Sequence, residues 1–393
     1  MLPENLVSLK KINGYKDLEK LQNSLKTLLE PFGGIENIFS DFADEKILIK
    51  PNLVAPVNFE QGATTNPFLV RALVELLFDK LNNPQILVGD GASVGQDTEE
   101  AFEVCGFKEL LQGSSISYMN IKLVDIKQEE FIPYQVKKGR VFQEIFLPSL
   151  LQEIDHIINI PVLKTHDVFP ATLGLKNLKG LIREQEKKLF HQTGLADAIV
   201  DLNLCLADLP VQIFTIYDGS IAMEGYGPVD GTPVNFELLG AAANIAAGDT
   251  VLSRCMGIKP EEIHYLTSAS SRGLAPERSV KLEIRGEKLK DVSRSFSLLK
   301  LKDNFYQQHR INLIDRGGCS GCRHLLDNII SSWSAEEISQ IAGHTIYLGP
   351  DGQDINNNSS CIKLGTCTKN LDVAGLYIPG CPPHPEIIKD YLL

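Results

Sequence analysis

Short apolar runs alternate with segments of helical spacing over the first half of the chain. Four runs of aliphatic and β-branched residues predict strands, at residues 46–50, 85–89, 156–161 and 211–217. Helical spacing follows the first two, at residues 67–81 behind an Asn66 cap and at residues 98–105. Continuous apolar strands bounded by Gly, Pro and Asp are typical of a sheet buried on both faces, with helices as crossovers. The pattern predicts an α/β fold with a mainly parallel or mixed sheet flanked by helices.

A second, shorter set of elements occupies the C-terminal end. Apolar runs predict strands at residues 310–314, 344–348 and 376–378, and helical spacing predicts helices at residues 322–330, 334–343 and 385–392. Ser334 and Glu337 form a capping-box signature at the second of these helices. We therefore predict three parts: a large α/β domain at residues 1–290, a linker at 291–308, and a smaller, cysteine-rich α/β domain at 309–393.

Polar and charged side chains stand near the ends of the predicted strands. Ligands of parallel sheets bind beyond the carboxyl ends of the strands, so these residues form a candidate rim for an anionic substrate. The substrate-binding candidates are Lys50, Asn52, Thr65, Asp90, Lys176 and Asp218, and the catalytic candidates are His166, Lys164 and Glu224.

Positive charge is concentrated near this rim. Residues 164–188 contain six Lys or Arg against three acids, and lysines serve as point charges for carboxylate or phosphate groups. For residues 183–188 a solvated helix is the favoured interpretation, whereas Lys164, Lys176 and Lys179 stay open between ligand binding and structure. His166 is the candidate proton carrier because imidazole titrates near neutrality, and its alternatives are a metal-binding or structural role.

Two further stretches suggest ligand sites. Residues 64–67, Thr-Thr-Asn-Pro, offer hydroxyls and backbone N–H groups at a helix start, which suits an anion. Asp218 precedes a predicted flexible loop at residues 219–227, and Glu224 lies within it. Such a carboxylate pair binds a divalent cation or performs acid–base chemistry, with ordinary loop capping as the competing interpretation.

Five of the eight cysteines lie after residue 318. Four thiolates hold a 4Fe-4S cluster when a close pair supplies two ligands and separate turns supply the others. Zinc, which also accepts four cysteines, and a redox dithiol of Cys319 and Cys322 are the alternatives. Cys361, in a predicted loop, either replaces Cys367 as a ligand or is an accessible spectator. The three earlier cysteines have apolar neighbours and are predicted to be buried: Cys105, Cys205 and Cys255.

Composition narrows the class of protein. With 393 residues, 43% of them hydrophobic, the chain is long enough for more than one core. A net charge of −12 argues against binding nucleic acid through overall phosphate attraction. The first eleven residues lack the apolar core of a signal peptide, and no long apolar stretch is free of charges, so we expect a cytoplasmic protein without membrane insertion. The sequence contains neither Gly-x-x-x-x-Gly-Lys-Ser/Thr nor Gly-x-Gly-x-x-Gly after a strand, the two glycine-rich motifs typical of nucleotide-binding proteins.

Several short motifs resemble known families. The set KPN at 50–52, GDG at 89–91, PVLKTH at 161–166, GLKNLKG at 174–180 and MEGYGP at 223–228 is similar to domain-of-unknown-function family 362, over about residues 44–290. That resemblance implies polar strand-end residues and frequent association with iron–sulfur modules, without an agreed reaction. The tail motifs GTC at 365–367 and PGCPP at 379–383 resemble the cluster-binding end of nickel–iron hydrogenase small subunits and the related quinone oxidoreductase subunit. This second resemblance implies a 4Fe-4S cluster on Cys319, Cys322, Cys367 and Cys381.

Two classes of function follow from these features. In the first, the protein is an iron–sulfur oxidoreductase or electron carrier that acts on a small anionic molecule or a redox partner protein. In the second, it is a non-redox protein for metabolite binding, metal binding or maturation, with a structural cluster or zinc site. Reversible reduction of the cluster coupled to turnover favours the first class. The oligomeric state stays open, with a homodimer among the options.

Overall fold

The structure is a computed structural model that describes residues 2–39, 44–112, 120–166, 169–277, 279–298, 303–316, 320–350, 360–380, 383 and 385–392. The chain divides into two compact units. The larger unit comprises residues 1–187 and 196–298, and the smaller unit comprises residues 188–195 and 299–393. Within the described parts of the chain, every helix is too short or too polar to cross a membrane.

A large mixed sheet forms the centre of the larger unit. Its strand order is β12-β1-β11-β9-β7-β2-β3-β4, with β8 and β10 also paired to β9, while β5 and β6 form a separate hairpin. The run from β9 to β4 is parallel, and β11 pairs antiparallel with both β1 and β9. The strands are β1 Leu6–Lys11, β2 Lys46–Lys50, β3 Gln85–Asp90, β4 Ile121–Asp125, β5 Phe131–Gln135, β6 Glu144–Pro148, β7 His156–Asn159, β8 Val162–Lys164, β9 Gln212–Glu224, β10 Thr232–Val234, β11 Leu238–Ala242 and β12 Glu283–Gly286.

Helices of the larger unit pack along this sheet. They are α1 Leu18–Leu29, α2 Ile35–Ile38, α3 Pro67–Lys80, α4 Thr98–Val104, α5 Phe107–Gln112, α6 Gly174–Asn177, α7 Glu184–Thr193, α8 Leu195–Ala207, α9 Ile245–Cys255, α10 His264–Ser271 and α11 Leu289–Val292, of which α7 and α8 extend across the unit boundaries. The start of α3 shows why the helix begins there: the Asn66 side chain accepts from the Phe68 N–H, and Pro67 takes the first helical position. Apolar side chains of α1 and α3 share one buried core with strands β2 and β3.

The smaller unit has a parallel four-stranded sheet of its own. Its strands are β13 Asn312–Asp315, β14 Thr345–Leu348, β15 Cys361–Leu364 and β16 Leu376–Ile378, in that spatial order. Its helices are α12 Asp303–Gln308, α13 Ser320–Ser332, α14 Ala335–Gln340 and α15 Pro385–Leu392. One core packs α13 against the sheet and contains Trp333, Leu326 and Ile362. The capping box of Ser334 and Glu337 is present at α14.

The structure confirms the predicted fold class. It corrects three local predictions. β9 runs from Gln212 to Glu224 and contains Asp218, so the predicted flexible loop at residues 219–227 is wrong over its first part. Cys361 starts strand β15 and is buried, so neither the predicted loop nor an accessible cysteine is correct there. Strand β13 begins at Asn312, two residues later than the pattern indicates.

Candidate functional site

A buried ion pair joins the ends of two neighbouring parallel strands. Lys50, the last residue of β2, places its ammonium 2.8 Å from Oδ1 of Asp90, the last residue of β3. Both side chains are buried. The Asp90 carboxylate also accepts from the N–H groups of Leu53, at 2.7 Å, and Gly91, at 2.8 Å. The pair is therefore held in one geometry by the loops that follow the two strands.

The backbone at Gly180 lies directly on this ion pair. A Cβ at Gly180 would overlap Asp90 Oδ1 and come within 2.7 Å of Lys50 Nζ. The last glycine of the GLKNLKG stretch is therefore required by close approach of backbone to charged atoms. This contact brings the segment after α6 against the ends of β2 and β3.

A chain of amides connects the loop after β2 to α6. Asn52 donates its side-chain N–H to Asn177 Oδ1 at 2.8 Å, and Asn177 donates to Asn159 Oδ1 at 2.8 Å. The backbone N–H of Asn52 donates to Thr65 Oγ1 at 2.7 Å, and that hydroxyl donates to the Ile160 carbonyl at 2.8 Å. Thr65 thus joins two loops and is buried. Asn177 and Asn159 were not predicted, although Asn177 lies within the GLKNLKG stretch.

Lys164, at the end of β8, has a buried ammonium with neutral oxygen partners. It donates to Asn52 Oδ1 at 2.8 Å, to the Ala63 carbonyl at 2.6 Å and to the Pro228 carbonyl at 3.2 Å. Burial lowers the pKa of Lys164 well below its ordinary value, and the positive charge of Lys176 adds to this effect. The side chain is only 1% exposed.

His166 and Lys176 meet in the loop beyond β8. Lys176 Nζ and His166 Nε2 are 2.8 Å apart. When the lysine donates this hydrogen bond, the imidazole carries its proton on Nδ1 and is neutral. His166 is buried and Lys176 is partly exposed. The structure thus places the predicted proton carrier beside a predicted anion-binding lysine.

Helix α6, which carries Lys176, is anchored by a carboxylate that was not predicted. Asp249 on α9 accepts from the N–H groups of Gly174, at 2.8 Å, and Leu175, at 3.1 Å. It also accepts from the Tyr217 hydroxyl at 2.7 Å. Burial raises the pKa of Asp249 to about 7, against the opposing effect of these hydrogen bonds. The sequence feature that could have identified Asp249 is the position of a carboxylate within the mostly apolar stretch at residues 238–258.

Lys187 is a further buried lysine, and its burial corrects the predicted solvated helix at residues 183–188. Its ammonium donates to the carbonyls of Gly91, at 2.8 Å, and Ala92, at 3.0 Å. Burial lowers the pKa of Lys187 to about 8, while the charge of Asp90 opposes the shift. Lys187 therefore lies next to the loop that carries Asp90.

Asp218 and Glu224 lie in the same strand, β9, and each carboxylate has its own hydrogen-bond partners. Asp218 accepts from the Asn66 N–H at 2.8 Å and from the Ser220 hydroxyl at 2.6 Å, and burial raises its pKa. The Asn66 N–H at the start of α3 is thus taken by a side chain of the protein itself. Glu224 accepts from the Ser297 N–H at 3.0 Å. The two carboxylates thus have different hydrogen-bond partners, although the pairing of β9 with β8 shifts register between Asp218 and Met223.

Two of the predicted cysteine ligands converge in the smaller unit. Cys322 lies in the first turn of α13 and is buried, while Cys367 lies in a short 3₁₀ turn at Thr366–Thr368. A Cβ built on Gly365 would be 2.9 Å from Cys322 Sγ and 3.9 Å from Cys367 Sγ. Both sulfurs therefore lie beside Gly365, and the absence of a Cβ there leaves room for the Cys322 sulfur. Gly365 has a φ of 94°, in the region that favours glycine.

The segment that leads to Cys381 passes the same point. The Thr366 N–H donates to the Gly380 carbonyl at 2.8 Å, and that oxygen is 3.5 Å from the position of a Gly365 Cβ. Cys381 itself and Cys319 lie outside the described residues. Among the described residues, no three His, Cys, Asp or Glu side chains are grouped to hold a metal ion.

Cys361 faces the other side of the small sheet. It packs with Tyr347, Leu371 and Val373, whereas the next residue, Ile362, belongs to the core that contains Cys322. Alternate residues of a strand point to opposite faces. Cys361 therefore does not substitute for Cys367 beside Cys322.

Comparison with known proteins gives a family, a similar sequence and a solved structure with partial similarity. Residues 47–254 match the family described as Domain of unknown function (DUF362). The thylakoid-associated protein sll1697 of Synechocystis sp. is 29% identical over 272 residues, which cover 69% of this chain and 80% of that protein. The lactate racemase apoprotein from Thermoanaerobacterium thermosaccharolyticum aligns with a TM-score of 0.40 and 13% identity, over 66% of this chain and 59% of that one. Because the matched residues span more than half of the sequence, this chain belongs to the DUF362 family.

Proposed function

We propose that this protein is an iron–sulfur protein of the oxidoreductase or electron-transfer class, with a second site for a small anionic molecule in its larger unit. The 4Fe-4S cluster is assigned to Cys319, Cys322, Cys367 and Cys381 of the smaller unit. The observation that carries the proposal is the convergence of the Cys322 and Cys367 sulfurs on the space over Gly365.

The donor set suits such a cluster. Two thiols lie beside Gly365, and a bulky inorganic core is approached more closely by backbone that lacks a Cβ. Cys319 precedes Cys322 by three residues, and Cys381 follows Gly380, whose carbonyl lies at the same place. When bound, a cluster of this kind takes up and releases single electrons. The tail resemblance to the hydrogenase small subunits supports the same four cysteines.

The anion site is proposed at the strand ends of the larger unit. Lys50, Lys164 and Lys176 bring positive charge to this region of an acidic protein, and His166 beside Lys176 is the proposed proton carrier. Lysine ammonium groups are point charges suited to carboxylate or phosphate. Glu224, which accepts from Ser297, is the least supported of the catalytic candidates.

Three alternatives make different predictions. A zinc site on the same cysteines and a dithiol of Cys319 and Cys322 both lack inorganic sulfide. A structural cluster, in a protein for metabolite binding or maturation, contains sulfide but is not reduced at physiological potentials. The cytoplasm stays the predicted location, and the Synechocystis relative is described only as thylakoid-associated.

Anaerobic purification followed by analysis of iron, sulfide, zinc and nickel tests the proposal. We expect about four irons and four sulfides per chain, and an electron paramagnetic resonance signal that changes reversibly on reduction. Cys322→Ala and Cys367→Ala should each lose most of the iron. Cys361→Ala is the matched control in the same sheet and should keep it. Stoichiometric zinc without sulfide would overturn the cluster assignment, and a cluster that resists reduction would overturn the redox role.

A further inference from the structure

Three buried lysines in the larger unit share a single buried carboxylate. We call Lys50, Lys164, Lys187 and Asp90 the lysine cluster. All four side chains are at most 4% exposed. Lys50 is paired with Asp90 at 2.8 Å. No carboxylate oxygen of the described residues lies within 4.0 Å of the ammonium of Lys164 or Lys187.

Buried charges in proteins are normally paired, because an unpaired ion loses its hydration without compensation. Carbonyl and amide oxygens satisfy the hydrogen bonds of Lys164 and Lys187 but supply no negative charge. Lys164 has three such acceptors, which matches the three N–H bonds of an ammonium. The cluster therefore has hydrogen-bond partners for three ammonium groups but one carboxylate, so two negative charges are missing when all three lysines are protonated.

We infer that the anion bound at this site carries two negative charges, and that its binding is coupled to uptake of a proton by Lys164. The inference rests on the proposed anion site and names its ligand class, a dianionic oxyanion such as a phosphate or sulfate group. In this proposal Lys176, which is partly exposed and next to His166, is the residue that contacts the oxyanion from the solvent side.

The electrostatic surroundings of Lys164 support this coupling. Lys176 on α6 and Lys50 at the end of β2 lower its pKa, and Asp90 at the end of β3 opposes them, while burial is the largest cause. Around Lys187, the charges of Lys127 and Glu184 are 3.4 Å apart and offset each other. An added dianion raises the pKa of Lys164, because it favours the charged form. The protein then binds a proton together with the anion.

The sign of the pH dependence follows directly. Where free Lys164 is neutral and bound Lys164 is charged, each rise of one pH unit lowers the affinity for the dianion about tenfold. Below the pKa of the free protein the affinity becomes independent of pH. A ligand that does not need Lys164 shows no such slope.

Titration calorimetry of the full-length protein with sodium sulfate tests this inference. Sulfate keeps its two charges across the range, so any proton uptake belongs to the protein. Titration in two buffers of different ionisation enthalpy gives the number of protons taken up, and sodium nitrate at equal ionic strength gives the monoanion reference. We expect uptake approaching one proton, tighter binding of sulfate than of nitrate, and falling affinity as pH rises.

Variants of Lys164 test whether this residue takes up the proton. Lys164→Met should bind sulfate more weakly and without proton uptake, and Lys164→Gln provides the same test with hydrogen bonds retained should Met not fold. Lys259→Met, at a side chain that is 80% exposed, should behave like the wild type. Sulfate binding without proton uptake, or equal binding of nitrate, overturns the inference but leaves the anion site. If no sulfate binds, or if sulfate binding does not depend on Lys176, the proposed anion site is overturned as well.

Discussion

A single alanine at Gly365 tests the cysteine site most directly. Gly365 has φ 94° and ψ 155°, a combination that is almost exclusive to glycine and costs other residues about 1–3 kcal/mol. The new Cβ would also lie 2.9 Å from Cys322 Sγ, so the sulfur has to move, with an overpacking cost of about 1–3 kcal/mol. We therefore expect Gly365→Ala to destabilise the smaller unit by about 2–6 kcal/mol and to lose its iron.

The same unit provides a matched control. Gly343 has a similar φ of 85°, but no atom lies within 4 Å of an added Cβ. Gly343→Ala should therefore cost only the backbone term, about 1–2 kcal/mol, and keep its iron. Trp333, the single tryptophan of the chain, is buried in the smaller unit, so its fluorescence during denaturant titration reports the unfolding of that unit. Full iron content in Gly365→Ala would refute the assignment of that space to a cluster.

Two further predictions concern the larger unit. Lys50→Met leaves the Asp90 carboxylate buried without its cation and should destabilise the unit by about 3–5 kcal/mol. Lys46→Met, on the same strand but in an exposed ion pair, should cost at most about 1 kcal/mol. Urea titrations followed by circular dichroism measure both. The raised pKa of Asp249, about 7 against an ordinary 3.8, means that the folded state binds a proton more tightly than the unfolded state. The free energy of unfolding should therefore fall as pH rises from about 4 to 7 and then level off. Asp249→Asn should reduce this slope, and an unchanged slope in thermal unfolding would contradict the role of Asp249.

The hydrophobic pattern was sufficient for most of the fold because strands buried on both faces leave continuous apolar runs. It failed where a residue has two possible meanings. Asp218-Gly219 looks like a turn, yet Gly219 lies inside β9, where an added Cβ would be 2.5 Å from the Leu238 carbonyl oxygen of the neighbouring strand. The glycine is required by the closeness of two strands, and local sequence does not contain that distance.

The sequence pattern also did not predict which charged side chains are buried. Lys187 belongs to a charged helical stretch that is typical of a solvated surface, but its ammonium reaches carbonyls of Gly91 and Ala92, about a hundred residues earlier. Asp249 likewise satisfies N–H groups of α6 far away in the chain. The strand-end rule found Lys50, Asp90 and Lys164 because topology gathers strand ends; it has no counterpart for residues brought in by helices.

Glycines mark both candidate sites for the same physical reason. Gly180 gives the backbone access to the Lys50–Asp90 pair, and Gly365 leaves the space faced by Cys322 and Cys367. A turn glycine at an open position, such as Gly343, has no atom within 4 Å of an added Cβ, so alanine there would meet a backbone cost but no clash. Alanine at Gly180 or Gly365 would instead displace charged atoms or a sulfur, so both glycines belong with the lysines and cysteines in a mutational test of the two candidate sites.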